Sequence, residues 1–229
     1  MMIPRVRNIY IDPNTYRETP GITEVNLRNV KWYNNSMSYA FINCYDLQSV
    51  SNINENVTNM SSTFYSCSNL VNAPTIPNSV TDMSRTFDSC YSLDNTPIIG
   101  NSVINMSRTF YNCYSLVNAP IIPNSVTDMS YTFMYCYNLV NAPIIPNSVT
   151  NMGGTFYSCS NLVGDIYMYS ENIFNAINCF FGSRLTKNVY IPFTYENGVN
   201  TQTYNSFINA GYNENGSSYG VYLKDINQL

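Results

Sequence analysis

The chain has 229 residues, of which only 10% are charged, with a net charge of −4 and no histidine. Half of the ten basic residues (Arg5, Arg7, Arg17, Arg28 and Lys31) precede residue 34, and Arg85 and Arg108 are the only ones between there and residue 162. No basic stripe can track phosphates, which excludes nucleic-acid binding, and the commonest general base and metal ligand is missing. Apolar residues make up 45%, enough for a core, but no apolar run approaches the ~20 residues that span a membrane.

The first zone covers residues 1–33. VRNIYI (6–11) alternates weakly and stops at Asp12-Pro13, so it reads as a short strand ended by a turn. TEVNLRNVKW (23–32) places Val25, Leu27, Val30 and Trp32 at strand-like intervals. The segment MMIPRVRNIYIDPNTY has no apolar signal-peptide core. Three routes fit that reading: a chain that stays in the cell, a leader already removed, or release by a path that needs none, such as cell lysis freeing a phage particle.

From residue 34 to 163 the sequence repeats. Cys44, Cys67, Cys90, Cys113, Cys136 and Cys159 follow one another at a constant 23 residues. Seven residues before each cysteine stands Met37, Met60, Met83, Met106, Met129 or Met152. Three before it stands Phe41, Phe64, Phe87, Phe110, Phe133 or Phe156, and three after it Leu47, Leu70, Leu93, Leu116, Leu139 or Leu162. A period of this size marks stacked structural units sharing one continuous core. Offsets of 0, 4, 7 and 10 predict a helical turn or two, opened by N-cap residues Asn59, Asp82, Asn105, Asp128 and Asn151.

The second half of each unit reads LVNAPIIPNSV. Pairs such as Pro74 and Pro77, or Pro120 and Pro123, forbid a helix and shorten any strand. A short extended rung at residues 70–73 is expected, then an apolar anchor at Ile76, a Pro-Asn-Ser turn and an inward Val80, with valine recurring at 57, 103, 126 and 149. Neighbouring units must then stack at roughly the ~4.8 Å inter-strand spacing.

The pattern Phe-x-x-Cys-x-x-Leu, followed by an apolar segment and Ile-Pro-Asn-Ser-Val-Thr, resembles the BspA-like leucine-rich repeats. VTNMSSTFYSCSNL and VTDMSYTFMYCYNL also resemble the related surface-protein repeat of mycoplasmas. The resemblance covers about 130 residues, a little over half the chain. It implies a right-handed solenoid used for adhesion and recognition, mostly on bacterial surfaces and also in phage proteins, with no catalytic residues.

Beyond Leu162 the register changes. Aligned on cysteine, Cys179 would put Asn172, Ala176 and Gly182 in the methionine, phenylalanine and leucine positions of a seventh, degenerate unit. GDIYMYS (164–170) and KNVYIPF (187–193) predict strands, ENIFNAINCFFG (171–182) and TYNSFINAGY (203–212) helices, NENGSS (213–218) a loop and YGVYLKDI (219–226) a last strand. Residues 1–33 are expected to cap the first unit. Residues 164–229 are expected to be either a cap or a module that attaches the array to a larger assembly.

Candidate chemistry is sparse. The seven cysteines contain no C-x-x-C pair, and side chains stacked in a column point the same way, so buried free thiols are expected rather than disulfides or metal ligands. Asp82 and Asp128 recur two units apart and Asp88 and Asp94 stand alone, so no carboxylate pair is singled out for acid–base work. Two asparagine columns (72, 95, 118, 141 and 78, 101, 124, 147) suit bonding between rungs or contact with a ligand.

Tyrosine is the one functional signal, with 21 residues. Tyr65, Tyr111 and Tyr157 stand two before a cysteine, Tyr45, Tyr91, Tyr114 and Tyr137 one after, and Tyr131 and Tyr135 join the same region. With Phe, Cys and Leu facing inward, these rings either line an exposed binding row, for which the eight other than Tyr45 are the candidates, or half-bury as packing. The resulting expectation is an α/β repeat solenoid of six 23-residue units, each an extended rung plus a helical turn, capped at both ends. It is non-enzymatic, needs no cofactor or metal, and binds protein or glycan on a cell surface. A phage virion or a cell surface is its expected setting, with other virion proteins or a second copy of the chain as further partners. A structural part of a phage particle, contacting its neighbours through the terminal segments, is the alternative.

Overall fold

A computed structural model describes residues 10–11, 13–183, 187–194, 198–216 and 221–229. Residues 6–9 of the first expected strand, Asp12, residues 217–218 of the last loop and residues 219–220 of the last strand lie outside it. The elements are β1 (Tyr10–Ile11), β2 (Glu24–Asn26), β3 (Lys31–Trp32), β4 (Ser49–Ser51), β5 (Ile166–Tyr167), β6 (Lys187–Ile191), α1 (Gln202–Asn209) and β7 (Val221–Asp225). β1 pairs with β3, β2 with β4, and β5, β6 and β7 form a sheet in that order; every pairing is parallel. Parallel neighbours a full unit apart in sequence are what a stack of coils produces.

Between β4 and β5 the units hold together by single bridges rather than long strands. One column of bridges runs Ser36, Asn59, Asp82, Asn105, Asp128, Asn151 and Asn175. The expected extended rung is present at a second column, where Ser49, Asn72 and Asn95 bridge in sequence and Asn118 bridges Asn141.

The expected helical turns are absent from the repeats, as is the helix expected at residues 171–182. In each unit the residues two and six places after the methionine have positive φ: Ser62 and Ser66, Arg85 and Ser89, Arg108 and Asn112, Tyr131 and Tyr135. A left-handed residue every fourth place breaks an α-helix and instead gives successive tight turns with the left-handed third residue of type II. Amides then alternate in direction. Met60, Ser62, Phe64 and Ser66 donate to the carbonyls of Asp82, Ser84, Thr86 and Asp88 in the next unit, while Thr63, Tyr65 and Cys67 donate back three residues. The apolar residues keep a helix-like spacing because each tight turn advances three or four residues. The expected N-caps open this segment as Asx-turns: Asn59, Asp82, Asn105 and Asp128 each accept the amide two residues on at 2.7–2.9 Å.

The core is a bundle of columns. Phe41, Phe64, Phe87, Phe110, Phe133, Phe156 and Phe180 stack ring on ring with centroids 5.6–5.7 Å apart. Trp32 stands edge-on to Phe41 at one end, and Tyr212 edge-on to Phe180 at the other, with Phe207 of α1 beside it. Methionine, leucine and valine columns surround the rings and are buried throughout.

All seven cysteines are buried thiols, and the six in the column form no disulfides, as their spacing predicts. Each thiol from Cys67 to Cys159 donates to the carbonyl of the phenylalanine in the preceding unit at 3.0–3.2 Å. Burial pushes the thiols of Cys67, Cys90, Cys113 and Cys136 well above the ordinary 9.0.

The seventh unit corrects the alignment on cysteine. Asn151 bridges Asn175, and Phe180 continues the phenylalanine column, so this unit follows at 24 residues. Ala176 therefore holds the methionine position and Ser183 the cysteine position. Cys179 lies where the second to sixth units place a threonine and the first places Ala40. The positive φ of Asn178 and Gly182 fits this register, two and six places after Ala176.

Candidate functional site

Met, Phe and Cys point inward from the turn segment, while the residue after each cysteine of the column lies at or near the surface. The structure brings seven of the eight expected tyrosines onto one face. Tyr91, Tyr114 and Tyr137 are 42%, 37% and 41% exposed and stack in line, with centroids 4.9 Å and 5.2 Å apart and interplanar angles of 12° and 28°. Serines 68 and 160 occupy the same position in the flanking units, so the stack is three rings long. Within it the ring faces cover one another.

A second set runs beside the first. Tyr135 stands edge-on to Tyr111 at 5.6 Å and to Tyr157 at 5.5 Å, and leans on Tyr137 at 6.0 Å, which joins the two rows. Tyr157 stacks on Phe181 at 4.9 Å, extending the patch into the seventh unit. The Arg108 guanidinium lies over Tyr111 at 4.6 Å and near Tyr131 at 5.4 Å, cation–π contacts that hold both rings. Tyr131 is exposed, and its ring covers the Gly154 backbone so closely that a β-carbon there would meet ring atoms at 2.6 Å.

Tyr65 does not join them. It is half-buried, and the equivalent position in the next unit is Asp88. That carboxylate is 3% exposed, accepts from the Ser89 hydroxyl at 2.9 Å, and has its pKa raised by burial against the opposing effects of Ser89, Arg108 and Arg85. Burial, with smaller effects from neighbouring tyrosines, also raises Tyr114, and burial raises Tyr111 against the pull of Arg108.

The asparagine columns bond between units. Asn95 Nδ2 donates to Asn72 Oδ1 at 2.8 Å, and the Asn101 amide donates to Asn78 Oδ1 at 3.0 Å. Among the described residues, no three His, Cys, Asp or Glu side chains could together hold a metal ion. No helix among them is long and apolar enough to cross a membrane.

Two features escaped the sequence reading. The threonine before five of the seven stacked phenylalanines (Thr63, Thr86, Thr109, Thr132, Thr155) is buried, and its hydroxyl lies within hydrogen-bonding distance of two methionine carbonyls, one in its own unit and one in the unit before. The recurring Thr-Phe dipeptide was its signal. The other is an exposed apolar stripe away from the tyrosines: Ile98, Ile121 and Ile144 at 74%, 91% and 62% exposure, continued by the stacked pair Tyr167 and Tyr190 at 5.0 Å. Ile121 and Ile144 line an open groove of about 680 Å³ with Pro120, Pro143 and Tyr169.

A family model described as the BspA type leucine rich repeat region matches six copies over residues 3–116 and 84–210. The chain belongs to the BspA-type leucine-rich-repeat family. Among solved structures, a leucine rich repeat protein of T. pallidum is similar at 21% identity and a TM-score of 0.55, over 71% of this chain and 77% of that one. This likeness supports a repeat fold and says nothing of a ligand. A leucine-rich repeat protein from Bacteroides ovatus aligns at 19% identity and a TM-score of 0.30, over 74% of this chain and 63% of the other. No curated protein matches the sequence.

Proposed function

We propose that this repeat protein is a non-enzymatic recognition module whose tyrosine face binds a protein or glycan on a host or cell surface. The observation that carries the reading is the exposed stack of Tyr91, Tyr114 and Tyr137, joined through Tyr135 to Tyr111 and Tyr157. Rigid amphipathic rings offer large contact area at small entropic cost, and here they lie on a backbone held by hydrogen bonds from unit to unit. With few charges nearby, recognition rests on ring edges, hydroxyls and the Arg108 guanidinium rather than on long-range attraction. An exposed structure, a phage appendage or a cell surface, is the setting that suits such a face. The stack is read as right-handed from the family likeness, with residues 1–33 and the segment after residue 163 closing its ends.

Replacing Tyr91, Tyr114 and Tyr137 together with alanine tests the assignment. The variant is expected to keep the wild-type circular dichroism and melting temperature and to lose binding to the cells or glycans that the wild type binds. Unchanged binding by the folded variant would remove this face from the function.

A further inference from the structure

Trp32 is the chain's only tryptophan and is 2% exposed. Its indole Nε1 has no hydrogen-bond partner among the described residues. An indole N–H can only donate, and a buried donor left unpaired is destabilising. Trp32 also lines a cavity of about 60 Å³ together with Lys31, Asn35, Asn54, Asn56 and Val57. A single water needs only about 10–15 Å³, so the space holds more than one.

The lining is one-sided in charge. Its residues are a lysine, a tryptophan, three asparagines and a valine, with no carboxylate among them. Its acceptors are in part committed to the frame: Asn54 Oδ1 accepts the Asn56 amide at 2.9 Å, and the Asn35 carbonyl accepts the Thr58 amide at 2.9 Å. Trp32 is fixed by strand pairing with Ile11 and by its edge contact with Phe41, so the indole is held in place by the core. A cation and an unpaired donor around a small polar space favour a negative occupant over a neutral one.

We propose that this cavity binds one compact monovalent anion, a halide or the carboxylate of a very small acid, with Lys31 supplying charge and Trp32 Nε1–H a hydrogen bond. The site lies apart from the tyrosine face and does not depend on its function.

Because Trp32 is the sole tryptophan, its fluorescence reports on the cavity in the intact protein. Bromide is titrated at constant ionic strength against the bulky anion gluconate. The expected result is quenching that saturates and is reversed by excess chloride or acetate; reversal by one and not the other identifies the source as halide or carboxylate. Lys31→Gln is expected to raise the half-saturating bromide concentration about tenfold, the least that one charge-assisted hydrogen bond contributes. Asn54→Asp keeps the oxygen that accepts from Asn56 but adds a negative charge, and is expected to abolish saturation at an unchanged melting temperature. Quenching linear in bromide and equal in the wild type and both variants would mean collisional contact and a cavity filled by water, and would overturn the proposal. Saturation that neither chloride nor acetate reverses would overturn it as well.

Discussion

The phenolic oxygen of Tyr212 accepts the backbone amide of Phe180 at 2.9 Å. In the preceding units the corresponding amide donates to a carbonyl one unit on, as Phe133 does to Thr155 and Phe156 to Cys179. Phe180 belongs to the last unit of the column, so a side chain from beyond α1 takes the place of the missing carbonyl. The Tyr212 ring also covers Phe180 and Phe207, at 5.7 Å and 5.8 Å. Tyr212→Phe keeps these ring contacts and removes only the acceptor. A loss of about 1–3 kcal/mol is expected, the cost of an unpaired buried amide, read from urea unfolding with an unchanged m-value. Equal midpoints would show that the terminal amide finds another partner.

The threonine column makes a similar claim inside the array. Thr109 Oγ1 lies 2.9 Å from the Met83 carbonyl and 2.8 Å from the Met106 carbonyl. Thr109→Val preserves shape and deletes the hydroxyl, so it is expected to cost about 1–3 kcal/mol although the core becomes more apolar. Thr109→Ser keeps the hydroxyl and loses one buried methyl, a transfer loss of about 0.8 kcal/mol. Valine destabilising more than serine in thermal melts supports the hydrogen-bond role; the reverse order would make this column simple packing.

The thiols predict a pH dependence. Burial raises the pKa of Cys67, Cys90, Cys113 and Cys136 above the ordinary 9.0. The unfolded chain therefore releases protons at a pH where the folded chain still holds them. Stability linked to these groups is complete well below that ordinary thiol value and falls as pH rises through it. Equilibrium unfolding in a reducing buffer should show a decline from about pH 8.5 upward. Cys113→Ala, at its own lower baseline, should show a shallower one. Native protein should also resist thiol-specific reagents near neutral pH, since both the thiolate and access to it are missing.

The core columns were legible because the 23-residue period puts one requirement on the same position many times. Met60, Phe64, Cys67, Leu70, Ile76 and Val80 are all buried. The backbone between them was not legible, because offsets of 0, 4, 7 and 10 fit a helix and a chain of tight turns equally. Choosing between them requires the positive φ of residues such as Arg85 and Tyr131, which have no intrinsic preference for it. Hydrogen bonds to the next unit stabilise those conformations, and no single unit contains them. Cys179 misled for a related reason: with one residue inserted, the chain kept its phenylalanine column through Phe180 and let the cysteine move into the threonine position. At the tyrosine face, residue types and outward direction were readable from the repeat. The link from Tyr135 to both rows, and the separation of Tyr65 by Asp88, follow from side-chain placement across units.

The segment Pro120-Ile121-Ile122-Pro123 offers two adjacent isoleucines that composition cannot rank, yet the structure exposes Ile121 by 91% and Ile122 by 5%. In an extended segment neighbouring side chains point to opposite sides, and here Ile122 joins the core column of Ile76, Ile99 and Ile145. Ile122→Ala is expected to cost about 2–5 kcal/mol through lost burial and a residual cavity. Ile121→Ala should stay within about 0.5 kcal/mol of the wild type, since its side chain leaves little surface buried. Urea midpoints of the two single variants decide the matter, and equal losses would mean that the exposed isoleucine stripe is covered in the protein as it exists in solution.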